Sequence, residues 1–556
     1  MKLRHPDPAV AAAVWFVAFF AFVPSMCAQE GAAPRHTGVP QDWSQHHIVF
    51  SRDALTLHPN LIDREPRVRH QAMQRWQSPN SDAFRGAAPL PIAAARSGLH
   101  RDWNVSGLQG KVSPFNFPAK FSFDVDAPPD CTNDYVVFGL STASTGTQAN
   151  LVAFNNLYSN TVIGGGFCDP LPGPGLGPNV LFAYDTTTVT GGKIVTSPIL
   201  SLDGTKIGFV ESIPGATPSA IFHVLTWTAG EGIIGAAAVP TAMISLPFSL
   251  SANDSSSSPW IDYGNDIVYV GADNGLVYKI TGVFNGVPAL AGSPWPVTVS
   301  TGLHLSSPVL DSVRGKLMVG SANGNLYQID TATGVLATLP VGGAGTSHGI
   351  VAAPLVDITN GTTFVVSAND GTSAVLVEAD TNGMFLITKG QIGLGAAGGT
   401  ALNIHDPDFS NNYYTTPTNG VIRVCGTGAT DTTPWQYAFK FTGRIMHTTP
   451  SFSQQLLTST AARCTGLTEF FNPNVGSGTD YFFFGLTSDC TAAGGAGGCV
   501  AEITDAAPTT VLTTPVTNGP SGISVDNYSS AAEASSIYLT AEGVNTAYKF
   551  TQNGLF

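Results

Sequence analysis

From residue 121 onward the chain repeats one short pattern, and that repetition constrains the fold more than any single motif does. Each unit opens with an apolar stretch, often preceded by Ser-Pro or Ala-Pro and ending in Asp. A polar turn, a very apolar strand, a Gly/Asn/Asp turn and a further strand follow. The opening stretches are FSFDVD (to Asp126), TSPILSLD (to Asp203), SSPWID (to Asp262), SSPVLD (to Asp311), AAPLVD (to Asp357), NIHDPD (to Asp408), TTPSFS (to Ser453) and SGISVD (to Asp526). Their last residues are 45–77 positions apart, mostly 45–59, near the roughly 40–50 residues of one propeller blade.

Each part of the unit has a physical reason. An Asp at a strand end bonds the backbone two residues on and starts a turn. The tripeptides DNG, ANG and NDG supply the positive φ of a tight hairpin. Pro is tolerated where a strand begins, since its first residue need not donate to the ladder. Strands such as IVYV, FVV and YFFF are apolar on both faces, which a one-faced sheet forbids and radial stacking of sheets requires. The pattern predicts an all-β chain over residues 101–556, an eight-bladed β-propeller, or a seven-bladed one if the weak NIHDPD unit is reassigned. The last unit stops short of an outer strand, and Trp103–Ser106 (WNVS) is expected to supply it and close the ring.

The N-terminal fifth differs in charge: residues 1–101 carry a net +4 and residues 102–556 a net −18. Lys2, Arg4 and His5 precede an apolar run from Ala9 to Val23, which reads as a signal peptide over residues 1–28. Pro24-Ser25-Met26 before Cys27 resembles a lipobox poorly, so cleavage near Ala28 is expected rather than lipid anchoring. The expected location is secreted or periplasmic, with no transmembrane helix. Residues 29–100 read as a partly disordered leader or linker outside the main fold, with one short helix around Arg64–Gln77. His46 and His47 read as surface or docking residues, because neighbours on a strand point opposite ways.

Besides Cys27, the chain has Cys131, Cys168, Cys425, Cys464, Cys490 and Cys499, an even number suited to disulfides in an oxidising compartment. Six cysteines allow 15 pairings. Proximity favours 131–168, 425–464 and 490–499. No CxxC or Cys/His cluster points to a metal site.

VYVGADNGLVYKI and LMVGSANGNLYQIDTATG resemble the repeat of quinoprotein (PQQ) dehydrogenase-like propellers, over roughly residues 257–383. In that repeat a glycine hairpin precedes an x-D-x-x-T-G turn, matched by Asp330, Thr333 and Gly334, and partly by Asp380 and Gly383. The resemblance implies an eight-bladed propeller without by itself implying an enzyme. Its dehydrogenases typically carry a vicinal disulfide over the quinone, a bound calcium and a Trp ending most repeats. This chain has no Cys-Cys pair, and VLATL stands where the Trp would follow Gly334, so no PQQ is expected.

Four histidines fall at the start of expected inner strands: His304, His348, His405 and His447. At a channel mouth they would converge on a metal or an anionic ligand; the alternative is that His is simply a polar residue at a wet strand end. The Asp series reads as local turns. GTSHG (Gly345–Gly349) and GLGAAG (Gly393–Gly398) match the nucleophile-elbow and dinucleotide patterns, but no helix follows either, so both read as loops between blades. A net charge of −14 argues against nucleic acid and suits a protein or glycan ligand. The expectation is therefore a secreted propeller that binds such a ligand on its face or channel mouth without catalysis. The alternatives are a divergent quinoprotein-type oxidoreductase and an outer-membrane β-barrel.

Overall fold

The computed structural model describes residues 38–552 apart from 51–60, 62–64, 77–98, 109, 115, 126, 163, 343–348, 400–401, 473–477, 491–496, 530 and 532. The repeat folds into eight separate antiparallel blades, numbered 1–8 in chain order, plus one two-stranded ribbon. The inner strands are Ala119–Ser122, Ile199–Leu200, Trp260–Asp262, Val309–Asp311, Leu355–Asp357, Asp408–Phe409, Thr468–Asn472 and Ser524–Asp526. NIHDPD thus provides a true inner strand, which removes the seven-bladed alternative, and eight separate sheets exclude a single closed barrel. Leu99–Ser106 pairs antiparallel with Thr546–Gln552 as the outer strand of blade 8. The inner strand of blade 8 lies beside that of blade 1, with Ser524 Oγ donating to Pro118 O. The second strands are buried on both faces, as stacking demands: Tyr135–Gly139, Thr362–Ser367 and Ser536–Thr540 are covered at every position.

Two units fold differently from expectation. TTPSFS does not begin blade 7: Phe452–Gln455 pairs with Trp435–Ala438 in blade 6 and alternates between half-buried and exposed, as an outer strand does. The inner strand of blade 7, with sequence TEFFN, carries neither Ser-Pro nor a terminal Asp. In blade 6 the chain makes a one-turn helix, Asn411–Thr415, between the inner strand and the second strand, which begins at Val421. The cysteines pair as 131–168, 425–464 and 490–499, a chemistry that belongs to an extracellular or periplasmic setting. No described helix is long and apolar enough to cross a membrane.

The Ser of Ser-Pro staples one blade to the next. Phe117 N donates to Ser197 Oγ at 2.9 Å, Ser197 N to Ser258 Oγ at 3.0 Å, and Ser258 N to Ser307 Oγ at 2.8 Å. The residue before each Pro begins an inner strand, so its N–H faces the next blade, where the equivalent hydroxyl accepts it. In blade 5 the equivalent residue is Ala353, which has no hydroxyl to extend the series. Asp203, Asp262, Asp311 and Asp357 make the local turn bonds expected of them, accepting from Thr205 N, Asn265 N, Val313 N and Asn360 N. Asp408 and Asp526 instead reach across blades, to Glu469 N at 2.8 Å and Lys120 Nζ at 2.8 Å. Asp126 lies outside the described residues.

The largest departure concerns the expected linker. Residues 38–50 and 65–76 are built into the propeller, inside its ring of inner strands. Val39–Gln41 adds antiparallel to the free edge of the blade 1 inner strand, and Ile48–Val49 adds parallel to that of blade 5. Blades 1 and 5 are four apart in a ring of eight, so the segment between them spans the central channel. On the way a 3-10 turn, Trp43–His47, is capped by Asp42, whose Oδ1 accepts from Ser44 N at 3.0 Å. Trp43 Nε1 donates to Pro259 O at 3.0 Å, and its ring meets Trp260 edge-on at 5.8 Å. His46 stacks on Phe117 and His47 is 2% exposed, so neither is a surface residue.

The helix Pro66–Trp76 fills the space beneath. Its buried face is polar, which is why composition reads it as solvent-exposed. Arg67 bonds Ile261 O at 3.1 Å and lies 4.0 Å over the Trp260 ring. Gln71 accepts from Phe50 N at 3.0 Å, and His70 bonds Tyr528. Arg75 makes a two-pronged pair with Glu469 at 2.9 and 2.6 Å and lies 3.4 Å over Tyr414. Both side chains of that pair are 2% exposed. Breaking such a pair strands a buried charge. Arg75→Met should therefore lower the unfolding free energy by about 3–5 kcal/mol, and the double change with Glu469→Leu by clearly less. Chemical denaturation measures both, and a loss under about 0.5 kcal/mol for the single change would mean that the segment is not anchored there.

Burial pushes several ionisable groups toward their neutral forms. Burial and the nearby Glu469 push Asp480 up to about 9, and burial alone raises Asp406 to about 7; the same two causes hold Asp408 well above the carboxylate range. Burial, with His47 or His46 adding to it, pushes His46 and His70 down to about 3, and His47 and His405 are lowered to about 3 by burial. A carboxyl raised on folding binds more protons folded than unfolded. Its stabilisation is full below the unfolded pKa and is lost as pH rises through the folded one. The lowered histidines act below pH about 6.5, where stability falls as pH drops. Above about pH 6.5 the lowered histidines no longer contribute, while the raised carboxyls and the raised His304 and His100 all lose stabilisation as pH rises. Stability should therefore fall between pH 6.5 and 9.5, and Asp480→Asn should flatten that fall. Melting temperatures across the range test this; a stability that rises toward pH 9.5 would contradict it. Ser258→Ala, which orphans Ser197 N, should cost about 1–3 kcal/mol, and Ala353→Ser should add about 0.5–1.5 kcal/mol by extending the staple, both read from denaturation midpoints.

Candidate functional site

With the N-terminal segment inside the ring, the channel is left with a funnel at the end where the inner strands begin. The funnel has two lobes, of about 370 and 480 Å³, which share Pro114, Phe117, Asn403, His405 and Asp406. The first lobe lies against the strand starts of blades 2–5. The staple hydroxyls of Ser197, Ser258 and Ser307 line it, and Trp43 and His47 of the N-terminal segment contribute to its wall. The second lies against blades 7 and 8 and is lined by Arg463, Thr465, Ser521 and Glu542 among others.

Of the four predicted histidines, the three among the described residues do not converge. His304 lines the first lobe with its side chain two-thirds exposed, and its Nδ1 is 2.9 Å from the Asp273 carboxylate. A hydrogen bond to Asp273 raises the pKa of His304, while burial and Asp273 push Asp254 up to about 7. His405 is held neutral by burial at the junction of the lobes. His447 is removed from both: its Nε2 pairs with Thr442 Oγ1 at 2.8 Å on an exposed hairpin of blade 6, because TTPSFS, which was to place it, is an outer strand. His348 lies outside the described residues, as does most of GTSHG. GLGAAG ends in a single 3-10 turn, Gly395–Gly398, between blades 5 and 6, with no helix N-terminus for a phosphate.

Among the described residues, one His/Cys/Asp/Glu group is close enough to share a metal ion: His100, Asp102 and Glu533. It sits at blade 8, away from the funnel. The Lys549 ammonium already bonds Asp102, and Asn160 Nδ2 lies 3.2 Å from Glu533, so the protein's own cation fills that place. His304 and His405 do not form part of such a group.

Nothing in the sequence singled out Asp406, Trp43, Arg463 or Glu542, and His47 read there as a surface or docking residue. Asp406 stands inside NIHDPD and was readable as a second carboxyl beside the terminal Asp408. Trp43 and His47 had no usable signal, since one segment that crosses a channel carries no repeat.

No family model matches the chain, and neither does any curated protein. Solved structures similar to it include BamB from Moraxella catarrhalis, at 11% identity over 82% of this chain and 98% of that one, with a TM-score of 0.42. The Dos1 propeller is similar at 10% identity over 82% and 96%, with a TM-score of 0.48. A quinohemoprotein alcohol dehydrogenase from Pseudomonas putida is similar at 12% identity over 47% and 42%, with a TM-score of 0.32. The eight sheets, rather than these likenesses, establish the architecture.

Proposed function

We propose that the protein is an exported, disulfide-supported propeller that binds a protein or glycan ligand in the funnel at its channel mouth and releases it unchanged. The carrying observation is the two-lobed funnel, backed by the chain's own N-terminal segment. Its wall offers hydroxyls (Ser197, Ser258, Ser307, Thr465, Ser521), an amide (Asn403), a neutral imidazole (His405) and the Phe117 ring. Such a wall gives many directional contacts of modest strength around an apolar patch, as binding sites do. The signal-peptide reading of residues 1–28 supplies the export, and three disulfides are consistent with the destination.

The test pairs ligand screening with a plug of the funnel. The exported protein is presented to glycan and peptide arrays, and a hit is titrated against wild type and Val351→Trp, which fills the first lobe at a residue with room to enlarge. Affinity should drop more than about tenfold with the fold intact by circular dichroism. Unchanged affinity would place binding elsewhere, and a mass change in the recovered ligand would make the protein an enzyme.

A further inference from the structure

Asp406 is the buried carboxyl of the funnel. It is 7% exposed, lines both lobes, and sits where they meet. Among the described residues no side-chain hydrogen bond reaches it: His47 Nε2 is 3.9 Å from Oδ1, beyond hydrogen-bond range. His47 lines the same lobe at 2% exposure, and its Nδ1 has no partner either. Burial keeps His47 and His405 uncharged, so neither neutralises Asp406.

The cation nearest at hand is tied away. Arg463 lines the second lobe, but its guanidinium bonds Thr460 O and Ala462 O of its own loop and makes no ion pair among the described residues. A second carboxyl, Glu542, lines that lobe and likewise has no ion-pair partner among the described residues. Among the described residues the backbone amide of Asp406 is the one hydrogen-bond donor acting on the Asp406 carboxyl, which leaves acceptor capacity that a ligand's donor can fill.

We propose that the funnel recognises a primary ammonium group seated against Asp406, carried either by a lysine side chain or by a free amine. This rests on the reading of the funnel as the binding site and names what it selects. One donor nitrogen at about 2.8–3.0 Å from each partner spans the 3.9 Å between Asp406 Oδ1 and His47 Nε2. An ammonium has three donors, and the carboxylate and a neutral imidazole nitrogen are acceptors on the same wall. A metal ion fits less well, because among the described residues Asp406 belongs to no group of three or more whose ligand atoms lie close enough to share one. The chain's net charge of −14 favours association with cations.

Calorimetric titration of the full chain tests the proposal with four probes: cadaverine, Nα-acetyl-lysine amide, its Nε-acetylated form and methyl glucoside. The two amines should bind, and Nε-acetylation should abolish binding. Asp406→Asn should weaken the amines at least about tenfold, while Asp330→Asn, on a turn of blade 4 that lines neither lobe, changes affinity by less than about threefold. Cadaverine alone binding would assign a free amine; the lysine derivative alone would assign a lysine of a partner. Equal binding of the Nε-acetylated probe, or of Asp406→Asn, would overturn the proposal, and the acetylated control holds even if that variant fails to fold. Binding that survives Asp406→Asn but is lost in Val351→Trp would sink the ammonium and leave the funnel standing. Binding that survives Val351→Trp would sink both.

Discussion

The structure depends on how the inner edges of an eight-bladed ring are satisfied. Each inner strand turns one edge toward the channel, and an unpaired edge leaves backbone N–H and C=O groups without partners. Here Val39–Gln41 and Ile48–Val49 pair with those edges in blades 1 and 5, and the helix Pro66–Trp76 fills the space beneath with polar side chains that bond to blades 3, 7 and 8. The segment behaves as an internal ligand of the ring. The Arg75–Glu469 pair fixes one end of it and the Trp43–Trp260 contact the other.

Two consequences follow for the site. The segment contributes Trp43 and His47 to the funnel wall, so the binding surface combines residues of the leader with strand starts of the blades. Three of the hydroxyls that line the funnel, those of Ser197, Ser258 and Ser307, also staple blades 1–4, so stability and surface chemistry share residues. Ala353 interrupts that series where the wall turns apolar, at Ile350, Val351 and Ala352.

The blades were legible because their physics repeats: turn residues, Pro at strand starts and doubly apolar strands recur at each copy, and the three disulfides followed from proximity. Blade 7 was misread because its inner strand TEFFN lacks both markers while TTPSFS, an outer strand, carries Pro; His447 was misplaced with it. The channel segment was illegible for a different reason. It occurs once, and it is buried through Arg67, His70, Gln71 and Arg75, residue types that signal exposure unless their partners are known. Asp406 was hidden by the same rule, since a carboxyl in a turn motif reads as a local bond until the cavity beside it is seen.

The central claim is that residues 38–50 lie paired within the channel, and amide hydrogen exchange of the full chain tests it most directly. The peptide covering Val39–Phe50 should exchange as slowly as the inner strands Ala119–Ser122 and Leu355–Asp357 to which it is bonded. Complete exchange of that peptide within seconds, while both inner strands stay protected, would contradict the account.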